Sequence, residues 1–184
     1  MRAAFQVRAL LGYCGEKFEL SPIFILDFIS ATAYVITTVY LFYMSPRTVH
    51  AIVEIELIAV IVLGANFAKI ALLLLVERRG GDSRTFRRSL VLVTDGVYRY
   101  SRNPVYLITF VQNLLWSLVL LFRIIDRHES LIMFAVVAIV PFIHFVGVNW
   151  LVIPKEEADL LQLHPITFSA YAKSVHRWIG RRIA

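Results

Sequence analysis

Four long apolar runs, at 22–43, 51–76, 104–125 and 131–153, alternate with polar breaks along the chain. Each reaches the roughly 20 mostly apolar residues that a helix needs to cross a bilayer. The breaks at Ser45-Pro46-Arg47 and Asp126-Arg127-His128-Glu129 are short, whereas the one from Glu77 to Asn103 is long. A long stretch of that kind inside a compact protein is usually functional. The pattern predicts an all-α integral membrane protein with about four transmembrane helices. The third and fourth runs, joined by a loop of about five residues, should form an antiparallel hairpin. Pro141 falls mid-way along the fourth run, where it should kink the helix. The first 21 residues, interrupted by Arg2, Arg8, Glu16, Lys17 and Glu19, lack the pattern of a secretory signal. They read as an interfacial arm with Phe5, Leu10 and Leu11 toward lipid.

Composition narrows this further. Of 184 residues, 59% are hydrophobic and 17% charged, with a mean hydropathy of +0.70. That apolar excess is too large for the core of a water-soluble chain of this length, and it excludes disorder. A single cysteine, Cys14, excludes a disulfide framework. The chain therefore reads as one membrane domain over 1–184, with a loop at 77–103 and a cap at 154–184.

Charge sets the orientation. Arg2, Arg8 and Lys17 lie in the arm, and Arg78, Arg79, Arg84, Arg87, Arg88, Arg99 and Arg102 in or beside the long loop. Lys155, Lys173, Arg177, Arg181 and Arg182 lie in the tail. With four spans these segments share one side, which the positive-inside rule makes cytoplasmic, together with both termini. Topology thus accounts for the net charge of +6, and nucleic acid is not an expected partner.

Three motifs carry candidate chemistry. The first, Tyr98-Arg99-Tyr100-Ser101-Arg102-Asn103-Pro104-Val105-Tyr106, opens the third span. Asn103 suits an N-cap and Pro104 the first turn, so this end offers unpaired N–H groups and partial positive charge to an anion. The same residues also fit an aromatic belt with interfacial arginines. The second, Pro154-Lys155-Glu156-Glu157-Ala158-Asp159, closes the fourth span; its adjacent carboxylates point about 100° apart on a helix. Acids at a helix start also simply suit the dipole. In the third, Phe168, Tyr171, Val175 and Trp178 recur at helical spacing and predict an amphipathic C-terminal helix on the cytoplasmic side. An arginine, aromatic rings and carboxylates together suit a zwitterionic or cationic ligand.

Asp27, Glu54, Glu56 and Lys69 lie in or near the spans. The two glutamates are close enough to a helix end to reach water. Lys69, one turn from Asn66, either snorkels or lines a pocket. The histidines are scattered without ligand spacing, so no metal is expected.

The stretch from Leu92 to Tyr106 resembles the "LVTxGPYRYxRxPxY" signature of the isoprenylcysteine carboxyl methyltransferase and phospholipid methyltransferase superfamily. Ile153-Pro154-Lys155-Glu156-Glu157, followed by Tyr171 and by Val175-His176-Arg177-Trp178-Ile179, is similar to its closing signature. The likeness spans roughly residues 85–180. It departs at Val97, at Ile108, at His164-Pro165 and at Phe168, and Asn103 stands where many eukaryotic members have His.

The resemblance implies a small multi-pass enzyme, of a bacterial inner membrane, that uses S-adenosyl-L-methionine in a cytoplasm-facing pocket. Its acceptor would be a lipid or lipidated molecule entering from the bilayer. Carried over by position, Tyr98, Arg102, Asn103, Pro104, Tyr106, Glu156 and Glu157 are the cofactor-binding candidates. Arg102 and Tyr106 are the catalytic candidates, and Lys69, Tyr171, Arg177 and Trp178 candidates for touching the acceptor. Two other readings remain open: an NADPH-dependent reductase of the sterol-reductase type, and a small transporter or adaptor using Asp27, Glu54, Glu56 and Lys69 as a polar path. The identity of the acceptor and the oligomeric state are not legible in the chain.

Overall fold

The computed structural model describes residues 22–43, 49–79 and 92–181. Among these residues six helices follow in order: α1 (Pro22–Tyr43), α2 (Val49–Arg78), α3 (Pro104–Asp126), α4 (Leu131–Gly147), α5 (Ile153–Leu163) and α6 (Pro165–Ser174). A 3-10 turn, Gly96–Arg99, precedes α3, and a π-helical turn, Val148–Val152, joins α4 to α5. The expected interfacial arm at 1–21 and most of the long loop lie outside the described residues.

Among the described residues, three helices are long and apolar enough to cross a membrane: Val53–Val76, Pro104–Asp126 and the continuous rod Leu131–Leu163. Their outward faces carry exposed large apolar side chains, among them Phe67, Phe122 and Phe142. This is the architecture of a membrane protein, whose lipid-facing surface has no reason to be polar.

The expected hairpin of α3 and α4 forms the centre, with α2 against α3 and α1 against both. Arg127 to Ser130 turn the chain; the Ser130 hydroxyl caps α4 by accepting from the Met133 N–H at 3.3 Å. A core of Tyr34, Leu41, Ile58, Leu120, Ile124, Val137 and Val140 fills the half of the bundle near this turn. Tyr34 stacks on Trp116 at 5.1 Å and donates to the Asn113 carbonyl at 3.0 Å.

Two prolines explain the shape of the α4–α5 rod. Pro141 has no N–H for the carbonyl of Val137, four residues back. The Ser117 hydroxyl on α3 donates to that carbonyl at 2.6 Å instead. Pro154 likewise cannot serve the Trp150 carbonyl, and its ring crowds it. The chain widens there, and the Ile153 N–H reaches back five residues to the Val148 carbonyl.

The tail departs from the predicted helix. α6 ends at Ser174, and Val175 is extended at φ −126°, ψ 136°. Gly180, at φ +108°, turns the chain back so that Val175 pairs with Arg181. Val175, Arg177 and Trp178 therefore do not extend the helical face of Phe168 and Tyr171. Val175 N–H still closes the helix on the Tyr171 carbonyl at 3.0 Å, and beyond it two backbone bonds hold the tail: Gly180 N–H to the Tyr100 carbonyl at 2.7 Å, and Arg102 N–H to the His176 carbonyl at 3.2 Å.

Candidate functional site

Those two backbone bonds tie the first motif to the third. The 3-10 turn starts at Gly96, whose φ of +59° is costly for any residue with a Cβ, and Leu75 of α2 packs against it. Asp95 pairs with Arg79 at the end of α2. The turn delivers Tyr98, whose carbonyl accepts from the Tyr171 hydroxyl of α6 at 2.7 Å. Leu92 and Tyr98 pack on the cluster of Phe168, Tyr171 and Val175.

Asn103 stands at the N-cap position of α3, but its side chain does not cap the helix. Its Nδ2 donates to the Arg177 carbonyl at 3.0 Å, while its own N–H is taken by Ser101 Oγ at 3.1 Å. The backbone at 103 (φ −132°, ψ 56°) and the nearby tail decide this against the capping geometry expected from residue type. Pro104 is buried in the first turn, where the absent N–H costs nothing.

The second motif closes the cluster. Glu157 accepts from two arginines, Arg102 Nη1 at 2.9 Å and Arg177 Nη2 at 2.6 Å, with Arg177 Nε at 3.2 Å. The bidentate grip of Arg177 fixes the carboxylate plane. Glu156 points to a different neighbour: the Tyr106 hydroxyl donates to its Oε1 at 2.5 Å. The 100° step between adjacent helical positions thus gives the two acids separate partners. An open cleft of ≈ 400 Å³ lies alongside, lined in part by Arg102, Glu157, Phe168 and Lys173. That is within the roughly 300–1,000 Å³ of small-molecule sites.

Burial and the charge of Glu156 push the Tyr98 phenol up to about 12. Burial and the neighbouring Tyr98 raise that of Tyr171, against the lowering influence of Arg102. Both phenols therefore stay neutral donors throughout the neutral range.

The π-helical turn contributes a residue that sequence reasoning missed. Asn149 Oδ1 accepts from Trp178 Nε1 at 3.2 Å and lies 3.5 Å from Arg177 Nη1. Its one signal was a lone amide inside an apolar run. Trp178 also stacks on Phe145 at 4.7 Å, and Phe145 packs against Phe110 at 5.0 Å, so the tail is anchored beneath the hairpin.

Tyr98, Arg102, Asn103, Pro104, Tyr106, Glu156, Glu157, Tyr171, Arg177 and Trp178 thus meet in one region. No family model matches the chain, and no curated protein or solved structure matches it. Lys69 is not in the network; it lies on α2 within electrostatic reach of Asp27. Glu54 stays partly exposed and also pairs with the buried Arg123 at 3.3 Å. Glu56 is exposed.

Proposed function

We propose that this chain is an S-adenosyl-L-methionine-dependent methyltransferase acting on a lipid or lipid-like acceptor. The observation that carries the reading is the convergence of three motifs, far apart in sequence, on one carboxylate: Glu157 held by Arg102 and Arg177, beside Glu156 and Tyr106.

The donor set fits such a cofactor. Guanidinium groups and the N-terminal end of α3 suit its carboxylate. Carboxylates and tyrosine rings suit its ammonium and sulfonium charges. Bound there, the cofactor would supply an electrophilic methyl group. The residues around it have the task of orienting donor and acceptor in a site sheltered from water. Arg102 and Arg177 would hold the anionic end, Glu156 and Glu157 would hold the cationic end, and Tyr106 keeps Glu156 in place.

In this reading α1 is a fourth span, both termini and the 77–103 loop are cytoplasmic, and the acceptor reaches the site from the bilayer. The positive residues on that side support the orientation.

Isothermal titration of S-adenosylmethionine and S-adenosylhomocysteine into detergent-purified protein tests the proposal. A Glu156→Ala/Glu157→Ala double variant and an NADPH titration run alongside. Saturable binding by the wild type, lost in the double variant, is the expected result. Folded wild-type protein that ignores both sulfur ligands and binds NADPH would replace this reading with the reductase.

A further inference from the structure

The turn at 175–181 has two unlike sides. Its inner side is occupied: Val175 packs with Phe168 and Tyr171, Arg177 grips Glu157, and Trp178 meets Asn149 and stacks on Phe145. Ile179 is left outside, 68% exposed. Gly180 N–H donates to the Tyr100 carbonyl at 2.7 Å, so Ile179 stands beside Tyr100, itself 63% exposed. Val97, whose carbonyl accepts from the Tyr100 N–H at 3.0 Å, is exposed as well. Two exposed arginines flank these apolar side chains, Arg99 next to Tyr100 and Arg181 next to Gly180. The nearby acids do not offset them: Asp95 pairs with Arg79, and Glu157 with Arg102 and Arg177.

Hydrogen bonds fix the depth of this face. Arg102 N–H donates to the His176 carbonyl at 3.2 Å, and Asn103 Nδ2 to the Arg177 carbonyl at 3.0 Å, so the turn is laced to the start of α3. α3 has 23 residues, roughly 34 Å of helix, against a hydrocarbon core of about 30 Å. Its first turn therefore stands at the edge of the hydrocarbon, which sets Tyr100, Ile179, Arg99 and Arg181 at the level of the head groups. That layer accommodates an aromatic ring, aliphatic side chains and guanidinium groups together.

We propose that Val97, Tyr100 and Ile179, with Arg99 and Arg181, form a docking surface for net-anionic phospholipids of the leaflet in which α3 begins. The apolar side chains enter the head-group layer, and the arginines meet phosphates that carry no neighbouring cation. The same turn brings Arg177 to Glu157 and Trp178 to Asn149. Lipid contact on its outer side therefore holds its inner side against the hairpin, and the order of the Glu157 cluster follows the charge of the leaflet. The surface rests on the contacts of the turn alone and does not require methyl transfer.

Hydrogen exchange of the full chain in lipid nanodiscs tests this, comparing discs of dioleoylphosphatidylcholine with discs that also contain dioleoylphosphatidylglycerol. The amides of His176 and Gly180, bonded to the Gly180 and Tyr100 carbonyls, report on the turn. They should exchange at least about tenfold more slowly in the anionic discs, the effect of two screened surface arginines, while the amides of α4 stay unchanged. High salt should erase the difference. Arg99→Gln/Arg181→Gln should erase it too, and Tyr100→Ser/Ile179→Ser should speed exchange in both kinds of disc. Equal exchange of the wild type in the two discs overturns the proposal, and needs no variant to fold. Folded variants indistinguishable from wild type overturn it as well. Protection confined to discs that hold two copies overturns it by giving the face to a second chain. S-adenosylmethionine titration of the same discs separates the two readings: an anionic-lipid effect without cofactor binding keeps this surface and removes the methyltransferase.

Discussion

Arginines paired with glutamates occur at both ends of α3, roughly 30 Å apart by helical rise. At the hairpin end, Arg123 is almost wholly buried and pairs with the carboxylate of Glu54, beside the packed side chains of Leu120 and Ile124. At the other end, Arg102 and Arg177 share Glu157, Tyr106 engages Glu156, and an open cleft runs alongside. The first arrangement staples two helices. The second holds more donors than one carboxylate needs and leaves room for a ligand. A buried ion pair alone therefore does not mark a site; surplus polar groups next to free volume do.

Exchanging the two arginines for alanine breaks this comparison most sharply. Arg123→Ala strands Glu54 in the bundle and should cost about 3 kcal/mol, the low end for a broken buried pair because Glu54 is partly exposed. It should show as a lower melting temperature with unchanged S-adenosylmethionine affinity in the folded fraction. Arg102→Ala should do the reverse: a smaller loss of melting temperature, since Arg177 still holds Glu157, and an affinity lower by at least about thirtyfold in calorimetry. Equal effects of both variants on binding would dissolve the distinction.

The hairpin end can be sharpened as a purely structural region through Ser117. Ser117→Ala leaves the Val137 carbonyl unpaired in the core and should cost about 1–2 kcal/mol in denaturant unfolding. Pro141→Ala restores an N–H to that carbonyl, so the cost of Ser117→Ala should shrink in the Pro141→Ala background. Strict additivity would mean that the hydroxyl and the proline do not share this carbonyl.

The ease of reading these regions from sequence also differed. The apolar runs were legible because a bilayer imposes length and hydropathy directly; 104–125 became Pro104–Asp126, and 51–76 became Val49–Arg78. The convergence of the motifs was legible from topology, since a hairpin sets the start of one helix beside the end of the next. Details that depend on tertiary backbone bonds were not. Val175 and Trp178 keep helical spacing with Phe168 and Tyr171, yet Gly180 and the Tyr100 carbonyl draw the chain out of the helix. The π-helical turn that brings in Asn149 follows from Pro154 within a continuous rod, which periodicity does not register. Asp27 meets His144 at 2.8 Å across 117 positions, so no local pattern pairs them.

Gly147 offers a smaller probe, between the two ends. A Cβ there would stand 2.7 Å from Leu26 Cδ1, so α1 approaches α4 as closely as only glycine allows. Gly147→Ala should cost about 1 kcal/mol, because Leu26 can shift part of the way. Leu26→Ala in the same chain should relieve that clash. A Gly147→Ala penalty as large in the Leu26→Ala background as in the wild type would locate the strain elsewhere.

The smallest effect is a pH dependence confined to the cleft end. The Tyr98 phenol is held up to about 12 by burial and by Glu156, against about 10 for an exposed tyrosine. Folding thus favours the neutral phenol. Its contribution to stability is whole below pH ~10 and fades as pH rises toward ~12, because the unfolded chain ionises first. Melting curves of wild type and Tyr98→Phe should keep a constant offset from pH 7 to 9. The wild type should then lose ground to the variant above pH 10, while Arg123→Ala, at the stapled end, should show no such divergence from wild type. A constant offset across the whole range would mean that the phenol is freely solvated and that the turn at Gly96 does not bury it against α6.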